Sequence, residues 1–424
     1  MRRLVLLLFA MFGTAVLFAA PASAHAEFTG STPRDGARLA SAPASVTVRF
    51  DDVVAPSFVH VTGPSGARVD TGPVSHPGGN ENSVSVALRP HLPDGTYDVA
   101  YRIVADDGHP VGGELRFVVG AGPLANAPST DESDSVVAAA LDVSRWISYA
   151  GFALLGGGWL LLSIWRPGQR EDAARRVIAV GLSAAVVGAV LEFLLQGAYV
   201  AGEGLGSVGQ GALLSDTLHQ NYGTLHAVRV GLLLVLAIVP ARLVLFAPLM
   251  AGIAYTFSAV GHPRTTDPVW LSIALDMLHL LAIAVWIGGV VMLLFALLPR
   301  VQAADLGRIM PVWSRVAFVA VAVIAVTGAY AAWRGIGSWR AVFTTEYGLL
   351  VDAKIVGFVG LLAVANLART VVARRTFSAT AVEQLRRCVV IEAVVAAAVL
   401  GLAAVLVSQP RGAEALALAV GGVR

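Results

Sequence analysis

Residues 270–298 read WLSIALDMLHLLAIAVWIGGVVMLLFALL, an apolar run whose only ionisable side chains are Asp276 and His279. As a helix rising about 1.5 Å per residue, it is long enough to cross the roughly 30 Å of hydrocarbon in a bilayer. Working outward from it, runs of the same kind recur. The sequence predicts about eight membrane helices, near 145–165, 177–201, 223–240, 243–260, 270–298, 313–333, 347–370 and 387–408. Only Pro240-Ala241-Arg242 separates the third from the fourth. Composition agrees, with 56% hydrophobic residues, 14% charged residues and a mean hydropathy of +0.72. An ordinary soluble domain does not read this way. The net charge of +2 is too small to argue for nucleic acid, and the single cysteine, Cys388, excludes an intramolecular disulfide.

The N-terminal part is different in kind. Arg2 and Arg3 precede an apolar run from Leu4 to Ala20, and Ala22-Ser23-Ala24 has the small-x-small form of a signal-peptidase site. Residues 1–24 are therefore expected to be removed, leaving His25 as the first residue. From 25 to 120 the chain reads as short strands, at Val46–Phe50, Phe58–Thr62, Ser83–Leu88, Thr96–Val104 and Glu114–Val119. Pro64-Ser65-Gly66, Pro77-Gly78-Gly79 and Pro93-Asp94-Gly95 supply turns between them. This pattern predicts a small antiparallel sandwich or barrel. Residues 121–142, rich in Ala, Pro, Ser and acids, are expected to be a flexible linker to a membrane domain over 143–410, with 411–424 as a tail.

Two signals set the orientation. A cleaved signal puts the β domain outside. Eight spans then place inside the loops bearing Arg166, Arg170, Arg175, Arg176, Arg300, Arg374 and Arg375, while the outer loops carry only Arg264, Arg334 and Arg340. The arginine bias agrees with the positive-inside rule and leaves the C-terminus outside.

A histidine at a free N-terminus can chelate one metal ion through its amine and ring Nδ1. The stretch ADDGHPVGG, residues 105–113, offers partners. Asp107 and His109 are two residues apart and share a face if the chain is extended. With His25 they make a nitrogen-rich set with one carboxylate, chemistry that suits Cu(II).

These residues carry a resemblance. HAEFTGSTPRDGARLASAPASVTVRF, the Pro-Ser-Gly turn and DDGHPVGGELRFVV resemble the CopC family of extracytoplasmic copper-binding proteins. The resemblance implies a cupredoxin-like, Ig-like Greek-key β-barrel with His25, Asp107 and His109 as Cu(II) ligands. The β domain has no methionine or cysteine, so the thioether site for Cu(I) found in some relatives is missing from it. His60, His76 and His91 read as solvated strand or loop histidines. The membrane half resembles the CopD family through SAVGHPRTTDP, DMLHLLAIAVWIGGV, VTGAY, EYGLLVDAKIV and VVIEAVVAAAVLGLAAVLV.

Ionisable groups at bilayer depth cost at least about 2.5 kcal/mol each and are candidates for function. Glu192, His226, Arg229, His262, Asp276, His279, Asp352 and Lys354 fall toward the outer side, Glu392 toward the inner. Arg229 and Lys354 read as helix-holding charges, neutralised by Glu192 or Asp352. His262, Asp276 and His279 read as a copper entrance, with Asp276 and His279 on one helical face. Gly156-Gly157-Gly158 and Gly288-Gly289 read as close helix packing.

The function expected is capture of Cu(II) outside the membrane by an N-terminal histidine brace, then passage of copper into the membrane domain, import being favoured. Cu(I) is a candidate form within that domain, and an extracytoplasmic copper chaperone or donor a candidate partner. Alternative readings are a membrane redox protein with haem-binding histidines, and a histidine-brace copper oxidative enzyme. No G-x-x-x-x-G-K-[ST] phosphate loop is present, so a P-loop ATPase within this chain does not drive transport.

Overall fold

In β3 (Ser45–Phe50), Val46, Val48 and Phe50 point inward while their neighbours face out. The same two-residue period runs through β6 (Ser83–Leu88), β7 (Gly95–Ala105) and β8 (Pro110–Val119), burying Val84, Val86, Val99, Ile103, Leu115 and Phe117. The computed structural model describes residues 26, 28–105, 110–121, 135–165, 172–238, 243–299, 303–373, 378–413, 415 and 416. His25, Asp107 and His109, the signal segment, residues 122–134 of the expected linker and residues 417–424 of the tail lie outside the described residues.

The β domain is a sandwich of two four-stranded sheets. One runs β1 (Phe28–Thr32), β3, β6, β5 (Asp70–Ser75), and the other β2 (Ala37–Leu39), β8, β7, β4 (Val54–Thr62). Pairing is antiparallel, with Val48 opposite Val84 and Tyr97 opposite Phe117, except that β2 runs parallel to β8. A purely antiparallel sheet is thus corrected at one edge. The strands unseen in the sequence, β1, β2 and β5, are edge strands. Half of an edge strand's surface stays wet, so its residues show little alternation.

The helices are α1 (Ser135–Trp165), α2 (Asp172–Ala201), α3 (Gly211–His219), α4 (Asn221–Ile238), α5 (Leu243–Ser258), α6 (Val269–Met292), α7 (Ala303–Ile336), α8 (Trp339–Thr344), α9 (Glu346–Ala373) and α10 (Ala379–Val407). α1 starts at Ser135, so residues 135–142, expected as linker, are helical. Among the described residues, seven helices are long and apolar enough to cross a membrane, rather than eight. The fourth expected span, α5, has 16 residues and covers only about 24 Å at the helical rise.

Two compact units emerge from the contacts. One comprises Ala24–Leu141 and Phe193–Thr224; the other comprises Met1–Ser23, Asp142–Glu192 and Leu225–Arg424. Within the first, Arg102 of β7 donates to the carbonyl of Tyr199 near the end of α2, at 3.2 Å. Within the second, the glycine readings hold. A Cβ on Gly157 would lie 2.1 Å from the backbone nitrogen of Gly289, and one on Gly288 would lie 1.8 Å from the carbonyl oxygen of Ala153. Only glycine lets α1 and α6 cross this closely.

Candidate functional site

Among the described residues, polar clusters interrupt the apolar interior of the helical unit. The first joins α6 to its neighbours. Asp276 accepts a 2.6 Å hydrogen bond from the Ser258 hydroxyl at the end of α5. One turn further along α6, His279 Nδ1 lies 2.8 Å from Thr327 Oγ1 on α7. Lys354 of α9 lies within electrostatic reach of both Asp276 and His279. The carboxylate within its electrostatic reach is thus one on another helix.

His262 opens a short turn, His262–Thr265, before α6. Its carbonyl accepts from Arg411 and from Thr266 Oγ1, the latter at 2.8 Å. Arg411 also donates to Thr266 Oγ1 at 2.7 Å, and Arg334 donates to the Asp267 carbonyl at 2.6 Å. Two buried guanidinium groups thus fix this loop, and Arg411, assigned to the tail, is a structural residue of it. The His262 ring is 6.3 Å from that of Tyr347. Among the described residues no three His, Cys, Asp or Glu side chains lie close enough to hold one metal ion. His262, Asp276 and His279 are therefore separate positions rather than a preformed three-ligand cage.

The second cluster brings together Glu192 of α2 with His226 and Arg229 of α4, which are 4%, 1% and 1% exposed. His226 Nε2 is 3.0 Å from Glu192 Oε2, and Arg229 Nη1 is 3.4 Å from the same oxygen. The reading of Arg229 as a counter-charge for Glu192 holds. What the sequence did not reveal is the uncharged half of the cluster. Thr256 of α5 accepts from Arg229 Nε at 3.1 Å through its hydroxyl and from Nη2 at 2.9 Å through its carbonyl. Phe257 lies under the guanidinium, 3.7 Å from centroid to Cζ. Ser, Thr and Phe in an apolar span look like packing residues. Their only signal was that a buried charge must find partners somewhere.

In the β domain, His76 Nδ1 bonds the Ser83 carbonyl at 2.9 Å. His60 departs from the solvated reading. It stacks on Phe58 with centroids 4.6 Å apart, sits 3.8 Å from Asp70, and lines a cavity of about 300 Å³ with Glu203, Asp216 and Gln220. Burial lowers its pKa below the ordinary histidine value, as does the nearby Arg68, against the opposing pull of Asp70.

Comparison with known proteins bears on both halves. A CopC domain model matches residues 28–120, and a copper resistance protein D (CopD) model matches residues 307–406. The chain is 28% identical over 442 residues to the copper transport protein CutJ of Bacillus subtilis (strain 168), across 97% of this chain and 78% of that one. The β domain is 30% identical over 112 residues to copper resistance protein C of Xanthomonas campestris pv. juglandis, across 25% of this chain and 87% of that one. A crystal structure of CopC from Methylosinus trichosporium OB3b is 24% identical, with a TM-score of 0.21, covering 24% of this chain and 100% of that one. A β-sandwich followed by apolar helices, with these matches, defines a membrane protein of the copper resistance and transport class. Residues 28–120 belong to the CopC family and are followed in the same polypeptide by a CopD domain over residues 307–406. That class is not enzymatic, which sets the oxidative-enzyme reading aside.

Proposed function

We propose that the chain captures Cu(II) outside the cell membrane through His25, Asp107 and His109, and passes copper inward along the membrane domain past His262, Asp276 and His279. The observation that carries the reading is the union of a CopC domain with a CopD domain in one chain. CutJ, similar along nearly the whole length, is named as a copper transport protein.

The described ends around the brace support it. Ala26 is buried in the sandwich core. Phe28 stacks on Tyr101 of β7 at 6.1 Å, while Val54 pairs with Ala105 and Val104 with Pro110. Phe28, shortly after the first of the three in sequence, thus lies against the strand that leads to the other two. An amine, two imidazoles and a carboxylate are the donor set Cu(II) prefers. In this reading the signal peptide is cleaved after Ala24, the β domain faces outward, and a copper donor outside the membrane loads the brace. Within the membrane domain, copper moves as Cu(II) or, after reduction, as Cu(I).

The test is cellular copper by mass spectrometry, normalised to membrane protein. His279→Ala should abolish copper-dependent accumulation while Cu(II) binding by the β domain persists. Full accumulation in a His262→Ala, His279→Ala double variant would leave those histidines as packing or interfacial residues and sink the entrance.

A further inference from the structure

The cluster of Glu192, His226 and Arg229 holds a hydrogen-bonding conflict. His226 Nε2 is 3.0 Å from Glu192 Oε2 and 3.2 Å from Arg229 Nη1, and that Nη1 is 3.4 Å from Oε2. An arginine nitrogen can only donate. If Nε2 carries a proton, it donates to Glu192 but confronts the N–H of Arg229. If Nε2 is bare, it accepts from Arg229 but sets its lone pair against that of Oε2. Neither arrangement satisfies all three contacts at once. Two arrangements remain, each with one contact left unmade. In one, a proton lies between Oε2 and Nε2. In the other, that proton has left and Nη1 bridges both acceptors. Arg229 can serve both because it is anchored elsewhere, by the two Thr256 bonds and the Phe257 ring. The guanidinium already supplies the positive charge, so the cluster offers no place for a metal cation.

We propose that Glu192 and His226 hold one exchangeable proton inside the membrane domain, and that this proton is expelled when a copper ion reaches Asp276, so that copper entry is coupled to proton exit. The coupling rests on the reading of Asp276 as part of the copper path. Its physical route is short. Thr256, Phe257 and Ser258 are consecutive residues of α5. The first two hold Arg229 and the third donates to Asp276. Tyr149 of α1 packs on Phe257 with rings 5.3 Å apart and lies within electrostatic reach of Glu192, Arg145, Arg229 and Asp276. Those groups, with Ser148 of α1 beside Glu192 and Lys354 beside Asp276, are the polar and charged neighbours of the path. A cation at Asp276 competes for the Ser258 bond, shifts the turn that anchors Arg229, and adds positive field at the proton site. Each effect favours the bridged state: Nδ1 of His226 keeps its own proton, the proton shared by Oε2 and Nε2 passes to water, and a carboxylate and a neutral imidazole remain, with no bond between heavy atoms changed.

Two measurements on the full-length chain test this. In nanodiscs, infrared difference spectra between about pH 5 and pH 8 should show carboxylate and imidazole bands that change together, a signal that Glu192→Gln removes and Glu192→Asp shifts. In proteoliposomes loaded with a pH dye, added copper should enter while protons leave, and the proton flux should be lost in Glu192→Gln and in His226→Asn. Copper entry without proton exit in the wild type would overturn the coupling while leaving the transport reading intact. An infrared spectrum unchanged by Glu192→Gln would overturn the proton site itself. Absence of copper entry in the wild type, with the infrared signal present, would keep the site and sink the transport reading on which the coupling rests.

Discussion

His279 Nδ1 lies 2.8 Å from the Thr327 hydroxyl, and that hydroxyl gives its own proton to the Val323 carbonyl at 2.7 Å. With the hydroxyl proton used in this way, Thr327 accepts from His279 Nδ1, and the neutral ring keeps a bare lone pair on Nε2. In the proposed copper entrance this is the tautomer a copper ion would need. Thr327→Val should therefore lower copper accumulation by about 10- to 100-fold, the usual cost of losing the residue that orients a ligand. Thr327→Ser should retain most of it. Cellular copper normalised to membrane protein separates the two, and equal accumulation in Val and Ser variants would show that His279 needs no orientation.

The β domain should hold one tight Cu(II) ion. Asp107→Ala or His109→Ala should weaken it strongly. Adding one residue before His25 should do the same, because the ligand amine becomes an amide. Competition titration checks both, and N-terminal sequencing checks that the exported chain begins at His25. The domain should bind Cu(I) poorly, since it holds neither methionine nor cysteine.

His60 makes the β domain acid-sensitive. Its folded pKa lies below the ordinary value of 6.5, so in mild acid the unfolded chain binds more protons than the folded one. The stability it contributes is complete above about pH 6.5 and is lost as pH falls through the lowered folded value. Asp70 adds a second, more acidic step. Burial alone would raise its pKa, but bonds from Arg68 at 2.5 Å and from the Val61 amide at 2.9 Å bring it below the usual 3.8. Thermal melts across this range should show the first step vanish in His60→Gln and the second remain.

Gly157→Ala should be damaging. The added methyl would meet the Gly289 backbone nitrogen at 2.1 Å, and backbone cannot step aside as a side chain can. Overpacking of this kind costs about 1–3 kcal/mol. Gly360→Ala in α9, where nothing lies within 4 Å of the new methyl, is the control and should leave protein level and melting temperature unchanged.

Local chemistry was legible in the sequence and long-range pairing was not. The strong strands β3, β4, β6, β7 and β8 showed themselves because each buries one face and wets the other, which prints a period of two. Membrane helices showed themselves because lipid forbids unpaired backbone and leaves only long apolar runs. α5 was overcounted as a full span because hydropathy reports apolar character without showing where a helix starts and stops. Asp276, His279, Glu192 and Arg229 stood out because a charge in an apolar run is costly wherever it sits.

Which charge meets which is a matter of helix packing, and packing is set by shape complementarity summed over many apolar contacts, with no trace in local composition. Only the tertiary structure brought Lys354 within electrostatic reach of Asp276, put Arg411 on the loop of His262, and seated Arg229 between Thr256 and Phe257. It alone revealed that Thr327 sets the tautomer of His279, because a threonine in a membrane helix reads the same whether or not a histidine of the next helix lies 2.8 Å away. Residue type determined which atoms could bind copper or a proton; the crossing of the helices decided which of those atoms stand close enough to act together.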